Sequence, residues 1–351
     1  MKEAEALTVP SYWKGTLEEI EAELGRLSRG RSGLLCRSAG GRPVHLVEYG
    51  ERQELYMRAN YNSACGAGNT SHYARRGADH KPVLLIVGGI HGSELEGIVG
   101  VMNLLQVLET GKDWRGKGWQ ELHQLSSRVR LLAIPCMNPD GRARVPQRTV
   151  WEMDYETVRH YTQGRWKDGS LCEWPDCKAV HPIKEEAQFL GAYFNDDGVN
   201  MMHDQFFKPM AEETASLLAL AEREAADFSM LLHGGLNCPL HFVKTAYVPD
   251  AVKGRHQLFY DAFMERASEK GYGIVRINML GPDGAEGSPP SFNLTSALHH
   301  VCGGLSMLYE SNQNYDGEGL RLSPDEIVDS HLLLFQEMMR FALANEVLPQ
   351  A

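Results

Sequence analysis

Nowhere in the chain do about eighteen apolar residues run together, which argues against a helical membrane span. Basic runs with interleaved aromatics are also missing, and acids outnumber bases, 46 against 35, for a formal net charge of −11. A nucleic acid or an anionic membrane surface needs a positive face, so neither is an expected partner. The opening residues Met1-Lys2-Glu3-Ala4-Glu5-Ala6 are acidic and hold no apolar leader, and the expectation is a soluble, cytoplasmic protein. Cysteine is sparse and odd in number, seven in all, and scattered through a chain too long to need staples. Free thiols are therefore expected, with no structural disulfide. Repeats and low-complexity tracts are absent too. The partner left standing is a small-molecule or short-peptide substrate, and nothing in the sequence fixes the oligomeric state.

What is present is enough for a large core: 351 residues, 43% of them hydrophobic. One domain over 1–351 is expected, with a loop-rich insertion at about 142–195. The organising stretch is 83–94. Val83-Leu84-Leu85-Ile86-Val87 is apolar without alternation, as in a strand covered on both faces, and Gly88-Gly89 ends it. Ser93 with Glu96 fits a capping box, and Leu95, Ile98, Val99, Met102 and Leu105 recur at helical spacing. His91 then lies in a turn and Glu94 at a helix start, at the carboxyl end of a strand, where open α/β sheets place their chemistry. Taken alone, the pair reads equally as a loop imidazole and a capping acid.

Elsewhere, Thr16 with Glu19 caps a helix to about Ser28, and strands are expected at 34–37 and 44–49 across a Gly-Gly turn. Residues 60–80 read as a loop near the site, and 129–134 as a second apolar strand ending in the turn Asn138-Pro139-Asp140-Gly141. From 142 to about 195 periodicity fades, the mark of a lid or binding loop. A helix at 211–226 leads to a strand at 228–232 ending in His233-Gly234-Gly235. A helix at 257–270, a strand at 272–277, a loop at 281–290 and a short helix at 294–300 precede the strand 305–310, which ends on Glu310. Ser323-Pro324-Asp325-Glu326 opens a last helix, to about Glu346. Strands alternating with helices predict an α/β fold, a mixed, largely parallel central sheet with helices on both faces.

Three strand ends thus offer His91 with Glu94, His233, and Glu310. Two imidazoles and a carboxylate suit a catalytic zinc with its fourth position open, one zinc per chain, and a separate carboxylate such as Glu310 is then needed to move protons. In this order and spacing, His91-Gly92-Ser93-Glu94, Asn138-Pro139-Asp140-Gly141, Gly198-Val199-Asn200, Leu231-Leu232-His233 and Tyr309-Glu310, with Ser38-Ala39-Gly40-Gly41-Arg42-Pro43-Val44 before them, resemble the zinc carboxypeptidase family, the carboxypeptidase A-like metallopeptidases. The resemblance implies that His91, Glu94 and His233 bind zinc and that Glu310 is the general base and acid. It also implies an arginine after Asn-Pro-Asp-Gly that polarises the substrate carbonyl. Arg142, Arg144 and Arg148 compete for that place, with Arg144 preferred as catalytic and Arg142 and Arg148 as substrate-binding.

The departures bear on the substrate. The family's Asn–Arg pair for a terminal carboxylate is replaced by Met202 and His203; a thioether donates nothing, and His203 is a weaker, switchable cation offered to substrate. Asn200 stands where the family has an Asp, and its amide oxygen still accepts from a zinc-binding His. The family's loop tyrosine finds only Phe292. Cys172, Cys177 and His181 lack a fourth ligand for a metal of their own, and a plain loop is the better account. The function expected is zinc-dependent hydrolysis of an amide bond in a peptide or N-acyl amino acid. The alternatives are a true carboxypeptidase that reads the C-terminal carboxylate with an insertion arginine, and an inactive binding module on the same fold.

Overall fold

The apolar runs pair into seven strands: β1 (Arg31–Arg37), β2 (Pro43–Tyr49), β3 (Val83–Val87), β4 (Arg130–Ile134), β5 (Phe228–Gly234), β6 (His241–Val243) and β7 (Leu305–Ser311). The structure is a computed structural model that describes residues 8–55, 57–75, 80–151, 153–283, 289–315 and 321–344. The strands make one mixed sheet in the order β1-β2-β4-β3-β5-β7-β6. Its four central strands are parallel, and the flanking pairs β1–β2, β2–β4 and β7–β6 are antiparallel. Helices cover both faces, as the unbroken apolar strands require. Along β3 the pleat sends Leu84 and Ile86 into one apolar layer and Val83, Leu85 and Val87 into the other. The first layer is closed by α2 (Leu95–Thr110), α5 (Asp250–Glu269) and α7 (Pro324–Ala344), the second by α4 (Glu212–Glu224) and α6 (Leu294–Cys302). Two shorter helices are α1 (Leu17–Leu24) and α3 (Tyr155–Thr162). Among the described residues no helix is long and apolar enough to cross a membrane.

Local signals were followed where nothing competed with them. Thr16 and Glu19 form the expected capping box on α1, although the helix ends at Leu24, short of Ser28. Ser323 and Glu326 exchange the same pair of bonds ahead of α7, whose expected end near 346 lies outside the described residues. The box expected of Ser93 and Glu96 does not form. Glu94 is the N-cap of α2 without a side-chain bond, while Glu96 turns into the core and accepts from Gln313 Nε2 at 3.1 Å.

The expected strand at 272–277 is absent. Tyr272, Ile274 and Ile277 spend their apolar faces on the core, only Ile274 bridges, to Leu240, and β6 takes the sheet edge. The described residues of 60–80 hold a short helix, Tyr61–Gly66, packed against α6, and none of them lines the site cavity. The loop at 281–290 is described only in part, since 284–288 lie outside.

The segment 142–195 is more ordered than its weak periodicity predicts. It carries α3, capped by Asp154, a two-stranded hairpin of Gly164–Trp166 with Ala187–Leu190, and a small core of Cys172, Cys177, Ile183 and Phe194. Those two thiols are core packing, and all seven cysteines are free. The Asn138 turn is a single helical turn, Pro139–Ala143, whose Asp140 accepts from Ser38, Arg42 and the Gly40 and Asp196 amides.

Candidate active site

The parallel centre of the sheet brings the predicted groups to one end. His91 follows β3 in its glycine turn, Glu94 caps α2, and His233 lies near the end of β5. Glu310 sits on β7 directly opposite His233 in the ladder, so register alone puts the two side by side. The turn is held tightly: the Gly92 N–H donates to the Ala192 carbonyl at 2.8 Å. A Cβ on Gly92 would come within 2.1 Å of the Arg142 amide nitrogen, so the turn tolerates only glycine.

His91, Glu94 and His233 are buried and place their ligand atoms within 4.8 Å of one another, the one such group among the described residues. His91 Nε2 lies 3.2 Å from Asn200 Oδ1, and that oxygen also accepts the Met202 N–H at 3.0 Å. An oxygen only accepts, so Nε2 carries the proton and Nδ1 turns a lone pair on Glu94 Oε1, 2.8 Å away. His233 Nδ1 is 2.8 Å from Glu94 Oε2, which is buried without a hydrogen bond. Three donor atoms converging this closely in a dry corner fit a cation between them, and the donor set suits zinc. Burial alone would raise Glu94, and it is positive charge on its His91–His233 side that holds it down, charge that a bound metal supplies where the rings are neutral.

Glu310 has the opposite balance. Burial pushes it up to about 7, partly offset by His233 and reinforced by Glu94. That is the range in which a carboxyl takes and returns a proton near neutrality. Both carboxylates face a cavity of about 560 Å³ that reaches from the His91–His233 corner past Met202, Leu308 and Val243 to Arg159 and Lys178.

The three arginines expected in the site are elsewhere. Arg142 is buried and donates to the carbonyls of Gly15, Val145 and Gln147 at 2.8, 2.7 and 2.9 Å, one bond from each of its three nitrogens, outside the cavity. Arg144 pairs with Asp196 and donates to the Gly191 and Phe194 carbonyls, and Arg148 binds Glu19 and the Trp13 carbonyl. None of the three lines the cavity. His203 does line it, next to the Ser291 hydroxyl, but burial pushes it down to about 3, so it offers a neutral ring where a cation was expected.

Residues the sequence did not single out form the opposite wall: Arg159, Gln163, Trp174, Lys178 and Tyr193. Arg159 stacks over Tyr155 at 4.9 Å, donates to Gln163 at 2.9 Å, and comes no nearer than 4.0 Å to Glu173. The helix holding it carried a signal that the reading as a loop passed over, Asp154 followed by acid and then base, a capped and dipole-matched pattern. Its direction was not legible, because that depends on how the hairpin behind it closes.

A search of curated protein sequences finds no match to the chain. Among solved structures, a metallo-carboxypeptidase from Burkholderia cenocepacia superposes with a TM-score of 0.58 at 16% identity, covering 93% of this chain and 69% of that one. A metallo-carboxypeptidase from Pseudomonas aeruginosa, solved in complex with (2-guanidinoethylmercapto)succinic acid, gives 0.55 at 15%, with 94% and 68% covered. Carboxypeptidase A from Helicoverpa armigera gives 0.53 at 13%, with 95% and 74% covered. Identities this low speak for the fold alone. The sequence profile described as zinc carboxypeptidase matches residues 28–253, well over half the chain and inclusive of His91, Glu94 and His233. With the His91, Glu94 and His233 cluster assembled on that fold, the chain belongs to the zinc carboxypeptidase family and is a zinc carboxypeptidase-like hydrolase.

Proposed function

We propose that the protein hydrolyses an amide bond in an N-acyl amino acid or short peptide, with His91, Glu94 and His233 as zinc ligands and Glu310 as the group that carries the proton. Bound zinc would supply a Lewis acid that acidifies water and polarises the carbonyl. Glu310, raised towards neutrality, takes a proton at its carboxylate and returns it to the departing amine. Asn200 holds the His91 ring in the tautomer that leaves Nδ1 available. The observation that carries the proposal is the lone-pair corner of His91, Glu94 and His233 beside Glu310 at the floor of the cavity. Metal analysis followed by an amide and ester panel tests it. About one zinc per chain with turnover of an amide supports it; a zinc-loaded protein inert across the panel would leave the binding module in its place.

Arg159 favours a narrower version, in which the amide lies next to a free carboxylate. Its Nε is buried without a hydrogen bond in the cavity wall, the one arginine found there among the described residues. It belongs to the segment from which a carboxylate-binding arginine was expected. A peptide with a free C-terminus and its C-terminal amide separate the two versions, since only the narrower one needs the charge.

A further inference from the structure

The family resemblance calls for an arginine against the substrate carbonyl, and the structure commits Arg142, Arg144 and Arg148 to other partners outside the cavity. The corner still needs a donor for the oxygen that gains charge as water adds. Several polar groups on the cavity wall are already occupied. Asn200 Oδ1 faces His91, Gln313 Nε2 donates to Glu96, and the Ser291 hydroxyl is turned to His203. Arg159 is on the wall fed by α3 and shares its guanidinium with Gln163.

Tyr193 is different. Its ring lies flat on the His91 ring, centroids 4.0 Å apart and planes 14° from parallel. On the segment side it packs against the core of Cys172, Cys177, Ile183 and Phe194. Its backbone is clamped as well. Tyr193 N–H donates to the Thr162 carbonyl at 3.0 Å, Ala192 N–H to Tyr161 at 2.8 Å, and the Ala192 carbonyl takes the Gly92 N–H of the catalytic turn. Tyr193 is therefore fixed to both the turn that carries His91 and the end of α3, the helix that carries Arg159. It lines the cavity, and its hydroxyl has no partner among the described residues. A phenol is a donor that needs no counter-charge, and one held in place before the reaction incurs no reorganisation as charge develops.

We propose that the Tyr193 hydroxyl is the donor to the substrate's carbonyl oxygen, filling with a neutral phenol the place for which an arginine was expected. This rests on the amide hydrolase reading above. No bond to Tyr193 forms or breaks: its O–H hydrogen-bonds the oxygen while water adds to the carbon, and stays protonated as the amine leaves.

Tyr193→Phe in the zinc-loaded protein is the test, because it keeps the ring stack and removes only the hydroxyl. Loss of one such donor lowers kcat by about 100-fold or more in comparable sites. The expected result is that drop with KM little changed and zinc content intact, together with a similar loss of affinity for a phosphonate analogue of the substrate, read by calorimetry. Binding of a ground-state carboxylate product should not move. An active wild type with a Phe variant of equal kcat and equal phosphonate affinity would overturn the Tyr193 assignment alone. So would a large kcat loss in Arg159→Gln with none in Tyr193→Phe, which would transfer the role to the guanidinium. A Phe variant that loses zinc would also overturn it, since the hydroxyl would then be holding the metal corner. A wild type that holds zinc and neither hydrolyses an amide nor binds the phosphonate would overturn the proposed function, and this inference with it.

Discussion

The two walls of the cavity hold their polar groups by different means. On the sheet side, His233 and Glu310 are neighbours in a parallel ladder, and His91 and Glu94 sit in a turn so tight that Gly92 has no room for a Cβ. Backbone hydrogen bonds set those positions, and a side chain changed there alters chemistry without moving the frame. On the other side, Arg159, Trp174, Lys178 and Tyr193 come from a segment that makes its own small core and hairpin and is clamped to the sheet through bonds such as Gly92 to Ala192. Those groups are positioned by packing and by side-chain contacts, as with Arg159 on Tyr155 and Lys178 over Trp174 at 3.7 Å. In the proposed function the sheet wall carries the reaction and the segment wall meets the substrate.

The largest expected break falls on the sheet wall. His233→Ala removes one of three ligands, and the zinc content of purified protein should fall from about one per chain to near zero while the melting transition remains cooperative. Zinc retained at the wild-type level would mean that the trio is not the metal site. Next is Glu310→Gln, which keeps shape and loses the proton carrier. Turnover should drop by about 100- to 10,000-fold with zinc still bound, and single-turnover kinetics would reveal a Gln variant that had merely become slow to release product.

This contrast also explains what could be read in the sequence. His91, Glu94, His233 and Glu310 were legible because each follows a run of apolar residues that has only one way to sit in a covered sheet, and the strand ends of such a sheet converge. The alternation of strand and helix gave the mixed sheet for the same reason. The arginine that lines the cavity, Arg159, was not legible. Arg142 and Arg144 follow the Asn138 turn closely in sequence, but that turn is helical and aims them into backbone carbonyls and at Asp196, away from the cavity. Arg159 and Tyr193 reach the site only because a hairpin with no strong period folds its segment back. The failed strand at 272–277 has a similar origin: its apolar residues satisfy the core without pairing, and pairing is a tertiary choice that periodicity does not encode.

A smaller effect is expected on the segment wall. Arg159→Gln should raise KM for a free-carboxylate substrate by roughly 10- to 100-fold, the scale of a lost charge-assisted contact, and leave kcat near wild type. The same variant acting on a C-terminal amide should show no such rise. Equal KM for both substrates in the wild type would remove Arg159 from carboxylate recognition and leave the broader amide hydrolase.

The smallest effect sharpens the comparison at the seam between the walls. Asp140 is fully buried and accepts from Ser38 at 2.6 Å, from Arg42 and Gly40 at 2.8 Å each, and from the Asp196 amide at 3.1 Å, tying the β1–β2 turn and the Asn138 turn to the segment's far end. Burial would raise its pKa, but these donors outweigh that and hold it below the usual carboxylate range. A depressed folded pKa stabilises the protein above the unfolded value, about pH 4, and that stabilisation is lost as pH falls through the folded value. Asp140→Asn should therefore cost about 1–3 kcal/mol at pH 7, with part of the Arg42 contribution discounted for its exposure. The gap from wild type should narrow in denaturant titrations below about pH 4, where the wild type loses what the variant never had. Because Asp140 touches no zinc ligand, zinc content should hold, and any loss of activity should appear first in KM, as the segment wall loosens while the strand ends stay in register. A loss confined to kcat would mean that the seam positions the catalytic turn more than the segment wall.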